Sequence, residues 1–268
     1  MYVGDVFPMA GRQRALASLV GASAIAQALA TLVSAVLAGV VSWRWAFALP
    51  ALFAFVLAVV LGRLSEPATA PGAPRPEGLR QVARRPWTRA VSALALAEGI
   101  VVLGVLTFLA PALESGGVPT ALSGAVVAGQ GVGVAIGSRI VSRVATRTSA
   151  PRLLAVGAAI IAVGIGVAAA SPTPGPVFVA SVTFGVGFPL LHTTLQAWAT
   201  DVAPGGRAVA VSLFSASLFV GSSIGTALFT PLADAGAFST LFAVAAVAVV
   251  PLGVAAVVAR ARYRPTPA

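Results

Sequence analysis

The sequence predicts an all-α integral membrane protein with eight transmembrane helices. Three observations carry that expectation. Of 268 residues, 58% are hydrophobic and 9% charged, and mean hydropathy is +0.98; a soluble domain has about 45–50% apolar and roughly 25% charged residues. The apolar residues gather in runs of the length a bilayer core demands, about 20 residues per helix. The arginines fall in the gaps between runs, and all but one sort to one side of the membrane.

The runs, in order, cover residues 15–41, 45–61, 90–110, 121–138, 153–170, 177–199, 208–230 and 238–259. The first is long enough to tilt in the bilayer. Residues 152–201 carry no charge between Arg152 and Asp201, but Ser171-Pro-Thr-Pro-Gly-Pro176 divides them, because clustered Pro and Gly stop a helix. The gap at 62–88 is the one long connection. Rich in Pro, Ala, Gly and Arg and without apolar period, it reads as an unstructured linker. The expected organisation is a two-helix piece over 1–64, a cytoplasmic linker over 65–88 and a six-helix bundle over 89–268.

The arginines test the count. All 17 basic residues are Arg. Eight spans put sixteen of them on one side: Arg12 and Arg14, six between Arg63 and Arg89, four between Arg139 and Arg152, Arg207, and three from Arg260 to Arg264. The other side holds Arg44 alone, with Glu114 and Asp234. Positive residues mark the cytoplasm, so both termini are expected inside, in the plasma membrane. This placement turns the net charge of +10 into a statement of topology, and nucleic acid is not an expected partner. Cys is absent and His occurs once, so no disulfide, thiolate or multi-histidine metal site is expected. No cofactor motif is present: Gly129-x-Gly-x-Gly133 follows no strand. An enzyme is not expected.

The chain also repeats itself. Asp5-Val-Phe-Pro8 recurs as Asp201-Val-Ala-Pro204, with basic residues following in each copy. Ser18-Leu-Val-Gly-Ala-Ser23 recurs as Ser212-Leu-Phe-Ser-Ala-Ser217. Each copy leads into a long span, a short turn and a second span. Four spans precede Asp201 in its unit and none precedes Asp5, so equivalence of the units implies four helices before Met1.

Taken together, these features resemble the C-terminal two-thirds of a major facilitator superfamily transporter of the twelve-helix drug:proton antiporter type. Residues 5–17 look like its loop between helices four and five, and Trp43-Arg-Trp-Ala-Phe47 like the start of helix six. Gly137, Arg139, Arg143 and Arg147 look like the second copy of its Gly-x-x-x-Asp-Arg loop motif, with Ser142 in place of the acid and Ala145 in place of a Gly. In the fifth-helix antiporter motif, Ala26, Ala30, Thr31, Ser34 and Ala35 replace Gly, Gly, Pro, Gly and Gly. The resemblance implies the two-bundle fold, a small-molecule substrate exchanged against protons by alternating access, and a chain shortened by family helices one to four. Such a short form is expected to be inactive alone, or to self-associate; a non-transporting remnant or membrane interaction partner is the alternative.

Few residues can carry transport chemistry. Glu98 lies nine residues past Arg89, about 13 Å along a helix. A carboxyl group there must be neutral, paired or facing water; it is either a proton-coupling acid or a helix-packing group. His192, the single titratable imidazole, either relays a proton or donates one hydrogen bond between helices. Pro189 before it frees carbonyls. Gln27, Gln130 and Gln196 are substrate-pathway candidates whose other use is helix–helix hydrogen bonding. Phe108, Trp198 and Phe219 are candidates for an apolar substrate wall or for membrane-facing and interfacial packing.

The arginine split makes a testable statement of topology. In this Cys-free chain, Arg143→Cys should label with a membrane-impermeant maleimide only from the cytoplasm, and Glu114→Cys only from outside. External labelling at 143 without labelling at 114 would overturn the orientation.

Overall fold

A computed structural model of the chain describes residues 33, 37, 42–63 and 77–264. The chain divides into two compact units, residues 1–75 and 76–268.

In the first unit the described helix is α1 (Trp43–Leu61). The Ser42 hydroxyl accepts from the Arg44 N–H at 3.3 Å, the usual way Ser satisfies a first-turn donor. Its apolar stretch Phe47–Leu61 is shorter than the crossings of the second unit, and its large side chains are exposed. A helix apolar all round needs lipid or other helices on its faces. α1 coincides with the expected span 45–61. Of the expected span 15–41 only residues 33 and 37 are described, both helical; Gln27, Asp5 and the antiporter-motif positions lie outside the described residues.

The second unit begins with a short helix, α2 (Leu79–Arg84). Six helices long and apolar enough to cross a membrane follow: α3 (Pro86–Ser115), α4 (Thr120–Val144), α5 (Ala150–Ala170), α6 (Pro174–Asp201), α7 (Pro204–Asp234) and α8 (Phe238–Arg262). No strand occurs among the described residues. Each of the six covers one expected span and exceeds it at one or both ends. The starts come early because Pro86, Pro151, Pro174 and Pro204 sit in first turns. A proline there loses no hydrogen bond, since the first N–H groups have no helical partner. The turns after α3 and α7 are the same motif. Val118 and Ala237 N–H groups reach back to Leu113 and Leu232, and the Gly117 and Gly236 N–H groups to Glu114 and Ala233. Both glycines have positive φ, 85° and 68°, which this cap requires.

The expected unstructured linker is corrected at its end. Residues 77–85 are strapped onto the α6–α7 connection. Arg85 holds Glu77 at 2.6 Å and the Val202 carbonyl at 3.1 Å, and the Glu77 N–H donates to the Gly205 carbonyl. Val82 is fully buried against Ala203 and Ala210. A six-residue helix has too few turns to show a period in sequence, so this element escaped a reading based on periodicity.

Lipid tails are as apolar as Leu, so helices in a membrane gain from close packing rather than from escaping water. Here glycines let backbones touch. A Cβ on Gly99 would lie 2.7 Å from the Ser222 nitrogen, and one on Gly104 2.9 Å from the Gly225 Cα, so α3 rests on α7. Gly133 meets Gly185 where α4 crosses α6, and Gly157 meets Leu191 where α5 crosses α6. These contacts leave one main apolar core through the unit, apart from the small cluster around Val82.

Gly104→Val should therefore destabilise the unit by roughly 1–3 kcal/mol, the usual cost of overpacking. Gly131, whose Cβ would meet nothing within 4 Å, should tolerate Ala without loss. Thermal unfolding in detergent distinguishes the two; equal effects would refute the contact.

Candidate functional site

α3 and α6 share an irregularity at the same depth. α3 runs as α-helix from Pro86 to Glu98 and then widens into a π turn, Gly99–Leu103. α6 widens at Pro189–Thr193. Single π turns gather at functional sites in helices. In α6 the cause is Pro189, which has no N–H and whose ring clashes with the carbonyl one turn back. Threonine hydroxyls take up carbonyls of the loosened turn: Thr193 donates to Pro189 O at 2.5 Å and Thr194 to Leu190 O at 2.7 Å. Local satisfaction of this kind keeps a broken helix viable in hydrocarbon.

Each π turn brings in one half of a polar pair. Glu98 precedes the first and His192 lies inside the second. The two residues are 94 apart in sequence, and His192 Nδ1 stands 3.3 and 3.4 Å from the two carboxyl oxygens of Glu98. Glu98 is fully buried, while the His192 side chain is 15% exposed. Glu98 is twelve residues from Pro86, about 18 Å along the helix, and His192 nine from Asp201, about 13 Å. In a core about 30 Å thick, both are near mid-depth.

Aromatic rings fix the imidazole. Phe188 stacks on it at 4.7 Å and 11°, Phe184 continues the stack behind Phe188, and Phe214 of α7 leans on it at 5.4 Å. The pair has two arrangements that satisfy both members. A proton on His192 makes an imidazolium–carboxylate contact; the same proton on Glu98 makes a carboxyl donor to a neutral Nδ1. One proton can thus move between the groups without leaving either unpartnered.

The remaining predicted residues are spread out. Gln130 on α4 and Gln196, one turn beyond His192 on α6, are half-buried. Phe108 is buried in the core, and Phe219 on α7 is 66% exposed. Gly137 is buried against Val186 where α4 meets α6. Arg139, Arg143 and Arg147 are exposed at the end of α4. Arg139 reaches its own helix at the Ala135 carbonyl, and the Ser142 hydroxyl donates to the Arg139 carbonyl. With Ser142 in the acid's place, no ion pair forms at this motif among the described residues.

Two groupings escaped the sequence reading. Phe184, Phe188 and His192 are spaced by four, a visible helical stripe whose ring stacking was not inferred. At the arginine-rich end, Trp87, Trp198 and Tyr263 join α3, α6 and α8 with ring centroids 5.4–5.9 Å apart. Arg260 lies over Trp198 and Tyr263 and stands 3.8 Å from Asp201. Nothing in the sequence places these residues together.

The sequence model of the Major Facilitator Superfamily matches residues 1–205 and 117–268, which together span the chain. The chain belongs to the Major Facilitator Superfamily. Comparison with curated proteins finds no match. Membership makes the chain a multi-pass membrane protein that moves a small molecule across the bilayer, in a superfamily of transporters rather than enzymes. For this superfamily member the pair joins the one His and the one fully buried acid among the described residues.

A double-mutant cycle checks the contact. Glu98→Gln and His192→Gln should each lower thermal stability, and the double substitution should cost less than their sum. Residues in direct contact show couplings of about 0.5–3 kcal/mol. Strict additivity would mean that the two side chains do not interact in the bilayer.

Proposed function

We propose that the protein is a proton-coupled exporter of drug-like or metabolite small molecules, of the drug:proton antiporter type, working by alternating access in the plasma membrane with both termini in the cytoplasm. The observation that carries this reading is the Glu98–His192 contact at mid-depth. A titratable pair inside a membrane bundle is costly to maintain, and proton relays are among the functions such pairs serve. In this reading a proton from outside settles on the pair and leaves to the cytoplasm, while substrate travels the other way. The exposed part of His192 is where the proton arrives, and Glu98 is its buried holder. Gln130 and Gln196 contact substrate, and the arginines of the α4 end face the cytoplasm.

The test uses proteoliposomes with an imposed proton gradient and ethidium, a fluorescent lipophilic cation, as probe. Wild type, self-associated as so short a form requires, should drive ethidium against its gradient. Glu98→Gln, which keeps the shape and removes the titrating group, should lose driven transport while retaining ethidium exchange at zero gradient. Driven transport at the wild-type rate in Glu98→Gln would refute the coupling role. Absence of ethidium flux in wild type would remove lipophilic cations as the substrate class.

A further inference from the structure

A groove runs along the outer surface of the second unit between α5 and α8. Its volume is about 330 Å³, and it is lined only by Ala, Val and Gly. Ala155, Ala159 and Ala162 form one wall; Val250, Val254 and Val258 form the other. Alanines opposite valines leave a trough, and Gly253 against Ala158 brings the two helices together at its floor. Val250, Val254 and Val258 are 56%, 57% and 42% exposed, so the trough opens away from the helical core.

Its position and its charged end decide what fills it. The walls extend about 10 Å along α5 and about 12 Å along α8 at 1.5 Å per residue. That is most of one leaflet, half of a core about 30 Å thick. Arg152 lies three residues before Ala155 in the first turn of α5, and Arg262 four residues after Val258 in the last turn of α8. Residues three and four apart share a helix face, so each arginine stands one turn beyond a wall of the trough. Both are exposed. Neither forms an ion pair among the described residues, whereas the nearby Arg260 is directed to Asp201, Trp198 and Tyr263.

We propose that this trough is a site for one anionic phospholipid, with an acyl chain between α5 and α8 and its phosphate between Arg152 and Arg262. An apolar slot of leaflet length with two cations at its mouth matches that molecule part for part. Spread over its length of about 12 Å, a volume of about 330 Å³ makes the slot about 5 Å across, too narrow for a transmembrane helix about 10–12 Å across with its side chains. A second copy of the chain also brings little anionic charge: it has seven acids, and Glu77, Glu98 and Asp201 are already partnered. The site is separate from Glu98 and His192 and does not depend on proton coupling.

Native mass spectrometry of the purified full chain, titrated with phosphatidylglycerol or phosphatidylcholine of identical acyl chains, tests the site. Wild type should retain one phosphatidylglycerol per chain, at least about tenfold more tightly than phosphatidylcholine. Each basic residue near an anionic headgroup contributes about a fivefold factor, so R152Q/R262Q should weaken phosphatidylglycerol about 20- to 30-fold and leave phosphatidylcholine unchanged. Ala159→Phe, which fills the trough, should reduce both lipids; should that variant fail to fold, the arginine pair still decides. Inorganic phosphate at equal concentration should not compete, because it lacks the chain. Equal retention of the two lipids, indifference to R152Q/R262Q, competition by phosphate, or a dimer that buries the groove would each overturn the proposal.

Discussion

A carboxyl group in the middle of an apolar bundle constrains everything around it. Glu98 has no access to water, so it requires a polar partner from another helix, held where the helices' own backbone bonds leave room. His192 supplies that partner. Bringing it to Glu98 takes a widened turn in α6, which Pro189 produces and Thr193 and Thr194 make tolerable. A second widened turn follows Glu98 itself. An ordinary α-helix would place these side chains differently, since one π turn shifts the register of all that follows it.

The same constraint explains the glycines. The polar pair survives only if α3 and α6 stay in place, and in lipid the force available is close packing. Gly99 follows Glu98 directly and seats α3 on the backbone of α7. Gly157 and Gly187 seat α5 against α6 within a turn or so of His192. Phe188 and Phe214 then pack against the imidazole, with Phe184 stacked behind Phe188. At the arginine-rich end, Trp87, Trp198, Tyr263 and Arg260 fasten α3, α6 and α8 together, and Tyr263 donates to the Asp201 carbonyl at 3.1 Å. Burial and the neighbouring Asp201 carboxylate raise the Tyr263 phenol above its ordinary value, against the pull of Arg260 and Arg85. The strap from Glu77 to Arg85 closes that end.

How much of this was legible depends on the range of each signal. The six crossings of the second unit were readable because apolar runs and charge gaps are local. The helices start earlier than the apolar runs because prolines occupy their first turns. Glu98 and His192 each stood out as a titratable group inside a span. Their meeting did not, because no local pattern says which helices touch across 94 residues. The Phe184, Phe188 and His192 stripe was present in the spacing and needed only the recognition that rings four apart stack. The short helix Leu79–Arg84 and the Arg260 cluster depend on tertiary contacts alone. Gln27 and all but residues 33 and 37 of the span at 15–41 fall outside the described residues.

The most direct measurement of the central contact exploits the chain's single histidine. With ¹⁵N-labelled histidine, the bilayer-embedded protein has one imidazole to observe, and no other residue overlaps its signals. The Nδ1 resonance should report a hydrogen bond to a carboxyl group and should move on Glu98→Gln, while Nε2, without a partner among the described residues, moves much less. Dipolar coupling from Nδ1 to a ¹³C-labelled glutamate side-chain carboxyl should be present in wild type and absent in Glu98→Gln. An Nδ1 signal that is unchanged by the substitution, with no such coupling in wild type, would contradict the account.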